Sequence, residues 1–590
     1  MSKENSAHFE LYTEAGEKLK GSAEIWTQYP RPQMVRANWQ SLNGIWDLDG
    51  NSVRVPFPPE SLLAEYTGEL KTHMIYTRVF AIENFQANMR TLLHFGAVDQ
   101  LAEVYVNGSP VGKHEGGHLP FTLDISAVVK EKGNLLVVKV VDELNQDYPY
   151  GKQCKKRGGM WYTPTSGIWQ SVWIEQVPQN YIRSLKITPN MQGVHVQVIS
   201  GGDVPIKEWK VTISLHTGEN YEAVLSDKED FINLTNITLA NGDKYEPQLW
   251  DVAHPYLYTM IVQAGEDRVT SYFALRTIEI REVEVLASVN RTKSVKCVHL
   301  NGKPLFMHGV LDQGYYSDGI VTPAEEAEYE RDVLRMKELG FNMLRKHIKI
   351  EPECFYYYCD KHGMLVVQDM VNSGEYSFWK DTVLPTIGLC GKGDIGKNRT
   401  EKRKEIFEES MLETIELLHN HPSIVVYTIF NEGWGQFESD RMYALAKKAD
   451  PTRLYDATSG WFAQKDNDFD SVHIYFGPRK PRFKERPVFL SEFGGFSYLV
   501  PEHIYSDKNY GYGTCKSSEE LVERIVARYK ELVLPYVHIG NGLCGSVYTQ
   551  VSDVEDEING FYTYDRRVCK VDKQAMRRLA NTIFQFLLYR

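Results

Sequence analysis

The sequence predicts a three-part chain: a β-sandwich over residues 1–179, a second and smaller β-sandwich over 180–283, and an eight-stranded α/β barrel over 284–590. Three observations predict it. Residues 39–178 alternate apolar and polar positions in short runs, such as Glu103-Val104-Tyr105-Val106, punctuated by Asn-Gly, Gly-Gly and Pro turn signals. Residues 180–282 keep the period of two, as in Val194-His195-Val196-Gln197-Val198, with almost no helical periodicity. Beyond Pro304, short apolar runs alternate with long amphipathic stretches, the signature of parallel βα units.

At about 150 residues per domain, 590 residues exclude a single core, and a barrel of about 250 residues brings the count to three. The composition, 42% hydrophobic and 24% charged, is that of packed globular proteins. Lys and Arg number 66 against 78 Asp and Glu, a net charge of −12, so no broad attraction to nucleic acid is expected. Eight scattered cysteines form neither a disulfide framework nor a zinc spacing. The first residues lack an apolar signal core, and apolar runs such as 424–430 are too short to span a bilayer. A cytoplasmic protein without a membrane partner is the expectation. Five Asn-x-Ser/Thr sequons (Asn107, Asn233, Asn236, Asn290, Asn398) point weakly the other way and are read as chance.

Within the barrel, eight strands are expected at 305–310, 342–345, 364–369, 424–431, 453–458, 471–475, 488–492 and 542–548. Eight is the number a closed ring needs. The intervening helices include 323–339, with Thr322 as cap and Pro323 in first position, 352–361, also proline-started, and 401–418, with Thr400 as cap. Three more are expected at 438–449, 518–534 and 573–588. The long, Gly-rich stretch 373–398 is a candidate rim loop.

In such a barrel the working side chains project from the C-terminal ends of the strands. The apolar run of the fourth strand stops at Asn431-Glu432-Gly433-Trp434, and that of the seventh at Ser491-Glu492-Phe493-Gly494. Strands four and seven lie on opposite sides of an eight-membered ring, so both carboxylates lean into one cleft. Glycosidic cleavage requires such a pair: one protonated carboxyl gives its proton to the departing oxygen, and one ionised carboxylate attacks the anomeric carbon. A separation of about 5 Å implies retention, and about 6.5–9.5 Å implies inversion. Singly, each glutamate also reads as a helix-starting acid, but the joint placement favours the catalytic pair.

These motifs resemble glycoside hydrolase family 2, the β-galactosidase, β-glucuronidase and β-mannosidase family. The likeness covers nearly the whole chain. Leu93-His94-Phe95-Gly96-Ala97-Val98-Asp99, Val104-Tyr105-Val106-Asn107-Gly108, His114-Glu115-Gly116-Gly117-His118 and Thr165-Ser166-Gly167-Ile168-Trp169-Gln170 resemble its jelly-roll sugar-binding domain. Leu249-Trp250-Asp251 and Pro255-Tyr256-Leu257-Tyr258 are similar to the end of its immunoglobulin-like domain, which makes the second sandwich immunoglobulin-like. The resemblance implies a retaining exo-glycosidase without a cofactor, metal-independent or weakly ion-assisted, with Glu432 as acid/base and Glu492 as nucleophile. It also implies substrate-binding roles for Arg345, Asn431 and Tyr475. An arginine beside the nucleophile favours its ionised form, a tyrosine hydroxyl holds the same carboxylate, and the asparagine amide binds a sugar hydroxyl.

Several side chains carry two readings. His473 either lines the sugar pocket or is a satisfied core histidine. The run Leu344-Arg345-Lys346-His347-Ile348-Lys349 is either an anion site for a uronate, with Lys349 as a donor, or a set of locally paired charges. Asp312 and Gln313 either bind sugar hydroxyls or serve a loop. Trp379, Trp434 and Trp461 either wall the pocket or belong to the core. The sequence departs from the glucuronidase pattern, with Asp556-Glu557-Ile558-Asn559 where those enzymes carry an Asn-x-Lys element, and with Tyr548-Thr549-Gln550 where the family carries a tryptophan. Tyr548 is then the candidate to stack under the sugar. A galacto-configured glycone, neutral or oxidised at C6, is preferred, and a small carbohydrate or glycoside is the expected partner. Self-association stays open. Two other classes compete: a silent carbohydrate-binding protein, against which both carboxylates speak, and a metal-dependent hydrolase, for which only isolated His308, His347 and His473 are at hand.

Overall fold

The computed structural model describes residues 9–22, 24–288, 291–377, 379, 384, 400–475, 477 and 480–588. Sequons Asn290 and Asn398, Cys390 and most of the stretch 373–398 lie outside the described residues.

The first sandwich pairs a four-stranded antiparallel sheet (Trp39–Ser41, Val172–Val177, Arg90–Phe95, Phe121–Asp124) with a six-stranded one running from Asn51–Val55 to Ser109–Glu115. Strict alternation builds its core. In Asn134–Val141 the residues Leu136, Val138 and Val140 are buried while Leu135 faces solvent. The Asn107-Gly108 turn has both residues at positive φ (53° and 83°), as a two-residue hairpin demands. The second sandwich stacks Tyr181–Pro189, Gly193–Gly201 and Phe231–Asn233 against a four-stranded sheet around Glu208–Ser214 and Tyr258–Ala264. Trp209, Val211, Ile213, Met260 and Val262 fill it. A long hairpin, Ile278–Ser288 with Arg291–Leu300, follows, and its Ile278, Val298 and Leu300 join Trp250, Met307, Met343, Leu365 and Leu454 to floor the N-terminal end of the barrel.

The barrel strands are β1 (Met307–Asp312), β2 (Met343–Lys346), β3 (Leu365–Asp369), β4 (Ile424–Asn431), β5 (Leu454–Ser459), β6 (Asp470–Ile474), β7 (Val488–Gly494) and β8 (Leu543–Thr549). They pair in parallel in the order β5-β4-β3-β2-β1-β8-β7-β6. Between β5 and β6 there is no backbone ladder. Side chains close that seam instead: the Tyr455 and Ala457 amides donate to Asp468 Oδ2 (2.8 Å) and Asn467 Oδ1 (3.1 Å), and Ser471 Oγ donates to Asp456 (2.5 Å). An edge strand inside a protein must find such acceptors, because an unpaired buried amide is costly.

Of the expected helix starts, Thr400 caps Glu401–Leu418 by accepting the Arg403 amide (3.2 Å). The helix expected from Pro323 begins only at Ala327. Thr322 is not its cap, because its hydroxyl donates to the Trp169 carbonyl (2.5 Å) while Trp26 Nε1 donates to the Pro323 carbonyl (2.9 Å). That turn is spent on docking the first sandwich, which shares a continuous apolar core with the barrel. No helix among the described residues is long and apolar enough to cross a membrane.

Strand alternation decides the fate of the basic run. Arg345 points into the barrel, so its neighbour Lys346 points to the helix layer, where it meets Asp312 (2.7 Å), Glu351 (2.9 Å) and the Phe355 ring. Lys349 joins the same buried knot and is corrected from anion-site donor to structural cation. Its ammonium spends its three donors on the Gly314 carbonyl (2.6 Å), the Val321 carbonyl (2.7 Å) and Glu351 (2.9 Å). Burial pushes it down to about 8 against the pull of Glu351. Asp312 is likewise consumed by Lys346 and by the Gly314 amide (2.9 Å). Because Glu351 is the one acid shared by both lysines, Glu351→Gln is expected to cost about 3–5 kcal/mol, read as a lower urea midpoint. An unchanged midpoint would show that the knot contributes nothing to stability.

Candidate active site

Each acid stands where its strand leaves the barrel. β4 is buried throughout and ends at Asn431; Glu432 follows at φ 54° and Gly433 at φ 73°. A Cβ on Gly433 would lie 2.4 Å from the Phe462 ring, so only glycine lets the chain turn there. Glu432 carries the strain of a left-handed residue, and its amide is pinned to the Ser459 carbonyl (3.0 Å). On β7, Phe493 packs outward on Tyr529 of the helix Ser518–Leu532 (ring centroids 4.9 Å apart), which turns its neighbour Glu492 inward.

The two carboxylates and His473 converge. One carboxylate oxygen of each glutamate and a ring nitrogen of His473 lie within 4.8 Å of one another. His473 Nδ1 is 2.9 Å from Glu432 Oε1, and its Nε2 is 3.6 Å from Glu492 Oε1. The Glu492 side chain is 5% exposed and that of Glu432 16%, so one acid is sealed in and the other faces the opening. This trio is the group of His, Cys, Asp and Glu among the described residues compact enough to surround a metal ion. The Glu492 oxygens are already shared with Arg345 Nη1 (3.0 Å) and the Tyr475 hydroxyl.

Arg345 is fully buried and organises the cluster. It also donates from Nε to Asp369 (3.0 Å), from Nη2 to Asn431 Oδ1 (2.9 Å) and from Nη1 to the Ser491 carbonyl (3.0 Å). Burial would raise the Glu492 carboxyl, but the positive fields of His473 and Arg345 and the Tyr475 hydrogen bond outweigh it, holding it down at about 2. Burial first, then Glu492 and Glu432, push the Tyr475 phenol upward, so it stays a protonated donor. Its ring stacks on Tyr512 at 4.0 Å, and its hydroxyl lies 3.3 Å from Thr549 Oγ1.

Of the expected site residues, Glu432, Glu492, Asn431, Arg345, Tyr475 and His473 are brought together, whereas Lys349 and Asp312 stand behind β2. Tyr548 is corrected from sugar platform to wall residue. It packs on Tyr529, Phe493 and Phe561 on the helix side, and alternation gives the inward position to Thr549. Gln313 is buried. Trp461 packs edge-on to His473 (5.3 Å), Trp434 is buried against Tyr150 and Trp161, and Trp379 is exposed.

Sequence reasoning passed over Asp369 and named His347 only within the basic run and as an isolated metal-ligand candidate; His347 Nδ1 and Asp369 Oδ2 lie 2.7 Å apart at the ends of β2 and β3. Asp369 ends its apolar run as both glutamates do, so its signal was present. It gave the segment 148–165 no place in the site. That part of the first sandwich lies over the barrel mouth: Tyr150 hydrogen-bonds Asn372 and Gly374, Tyr162 donates to Glu557 (2.5 Å), and Trp161 packs on Trp434 (5.0 Å).

Comparison with known proteins agrees with this architecture. A beta-glucuronidase of an uncultured Clostridium sp. superposes with a TM-score of 0.69 at 19% identity, covering 94% of this chain and 99% of that one. The beta-D-glucuronidase of Dictyoglomus thermophilum gives 0.70 at 19%, covering 95% and 99%. At that identity the likeness speaks for the fold. Among sequence relatives, a Formosa agariphila protein with a provisional beta-glucuronidase name is 25% identical over 84% of this chain, and a beta-galactosidase of Alteromonas mediterranea 25% over 71%. The chain spans 58% and 39% of their respective lengths. The models for the sugar binding domain and the TIM barrel domain of glycosyl hydrolases family 2 match residues 53–178 and 292–477. Together they take in more than half of the sequence, and the chain belongs to glycosyl hydrolase family 2.

Proposed function

We propose that the protein is a retaining exo-β-glycosidase that removes a terminal, galacto-configured sugar, a β-galacturonide or β-galactoside, by double displacement. The observation that carries this reading is the approach of the Glu432 and Glu492 oxygens to within 4.8 Å. An approach of that order accords with the spacing of about 5 Å between nucleophile and acid/base in a retaining enzyme. Glu492, held ionised, attacks C1 and forms a glycosyl ester. Glu432, nearer the opening, protonates the departing oxygen and then takes a proton from the water that cleaves the ester. Arg345 and Tyr475 hold the Glu492 oxygens for attack, and His473 bridges the two acids. No cofactor enters these steps.

A second reading, β-glucuronide hydrolysis, is favoured by the printed names of the structural neighbours. Asp556 and Glu557 in place of an Asn-x-Lys element support the galacto reading instead. Comparing aryl β-galacturonide, β-galactoside, β-glucuronide and β-mannoside, with the product anomer followed by proton NMR, tests both. A product of inverted configuration would overturn the mechanism.

Glu492→Gln is expected to abolish turnover of every glycoside, and a variant that keeps a large fraction of activity would displace Glu492 as nucleophile. An activated phenol leaves without a proton, so Glu432→Gln is expected to impair alkyl glycosides far more than 4-nitrophenyl ones. Equal losses would argue against an acid role. Removing a positive neighbour disfavours a carboxylate, so Arg345→Gln is expected to raise the Glu492 pKa and move the acid limb of kcat/KM upward by about 1–3 pH units. A limb that stays in place would mean that Arg345 does not govern ionisation.

A further inference from the structure

The three cations at the end of β2 are spent: Arg345 on Glu492 and Asp369, Lys346 on Asp312 and Glu351, Lys349 on Glu351 and two carbonyls. A cation of the first sandwich near the cleft is not. Lys152, half-buried, belongs to the first sandwich and is delivered by the segment that crosses the barrel mouth. Its position is bracketed on both sides. Its neighbour Gly151 stands so close to the end of β2 that an added Cβ would lie 3.0 Å from the Ile348 carbonyl. Its own carbonyl accepts the amide of Tyr162, whose hydroxyl reaches Glu557 beyond β8. The ammonium makes no ion pair or hydrogen bond among the described residues. Its field is nevertheless felt in the site: after burial, it is the main influence holding His347 neutral, and it opposes the upward push of burial on Glu557. Both of those residues in turn sense Glu492.

A second unpartnered group sits on the loop after β3 to which this segment is hydrogen-bonded. Asn372, whose carbonyl accepts the Tyr150 and Gly151 amides, is 1% exposed, yet neither atom of its side-chain amide has a hydrogen-bond partner among the described residues. A buried amide with nothing to bind is costly and calls for a ligand or water.

We propose that Lys152, together with the Asn372 amide, binds the C6 carboxylate of a uronide, so that the first sandwich supplies the charge selectivity of the barrel's site. An ammonium and an amide N–H are both donors, and a partly desolvated carboxylate is the acceptor that satisfies both. The inference rests on the glycosidase reading above and narrows its glycone to a uronic acid.

The test measures kcat/KM for 4-nitrophenyl β-galacturonide and β-glucuronide against the matching β-galactoside and β-glucoside. Lys152→Met is expected to lower the uronide-to-hexoside ratio by about 10- to 100-fold, mainly through KM, with partial recovery in Lys152→Arg. Asn372→Asp is expected to lower the same ratio by setting a like charge against the substrate. On the wild-type protein, free galacturonate or glucuronate is expected to inhibit more tightly than galactose or glucose, a readout that needs no variant to fold. An unchanged ratio in a folded Lys152→Met protein, or equal inhibition by acid and neutral sugars, overturns the assignment. Wild-type turnover of hexosides without uronides overturns it while leaving the glycosidase reading intact, and turnover of no β-glycoside overturns both.

Discussion

The structure of the site depends on one buried guanidinium. Arg345 joins the ends of β2, β3, β4 and β7 through Asp369, Asn431, the Ser491 carbonyl and Glu492. A planar fork of five donors suits that task, because each strand end sees a donor in a different direction. The two acids it holds would repel each other, and burial alone would protonate them. The fields of His473 and of this guanidinium let Glu492 stay ionised although buried, while burial still raises Asp369. A buried ion is tolerated only with such a full set of partners. The ionisation of Glu492 and the joining of four strand ends at the barrel's C-terminal end therefore both draw on Arg345.

Much of this was legible in the sequence, and the reason is periodicity. Parallel strands buried on both faces read as unbroken apolar runs, so all eight were placed to within a few residues. The point where such a run stops marks the C-terminal end, which made Glu432 and Glu492 conspicuous. The same rule applied to Leu365–Asp369 would have found Asp369. Alternation also explains the misreadings. Counting inward and outward from Arg345 sends Lys346 to the helix layer, and counting from Glu492 and Tyr475 gives the inward position on β8 to Thr549 rather than Tyr548. A basic run in a sequence shows where charges are; it does not show whom they pair with, and here Glu351 and Asp312 absorb both lysines.

What was not legible lies in contacts between distant parts of the chain. Thr322 looks like a helix cap until Trp169 takes its hydroxyl. Trp434 looks like a pocket wall until Tyr150 and Trp161 bury it. Nothing local in the segment 148–165 announces that Tyr162 will reach Glu557 across hundreds of residues. These contacts are set by how the first sandwich docks, and that docking is encoded in an apolar core common to both domains.

Under the proposed glycosidase function, this division bears on how substrate preference can change. The proposed reacting groups sit at the ends of β4 and β7, which paired strands on both sides hold in place, where a shift of an ångström would cost catalysis dearly. The mouth of the cleft is built instead from loops of two domains, where a side chain can be replaced without disturbing a strand. Under the proposed role of Lys152, charge selectivity can be gained or lost without touching the Arg345 network. The three cations at the end of β2 are held by Glu492, Asp369, Asp312 and Glu351, so none of the three is left over to recognise a new anion.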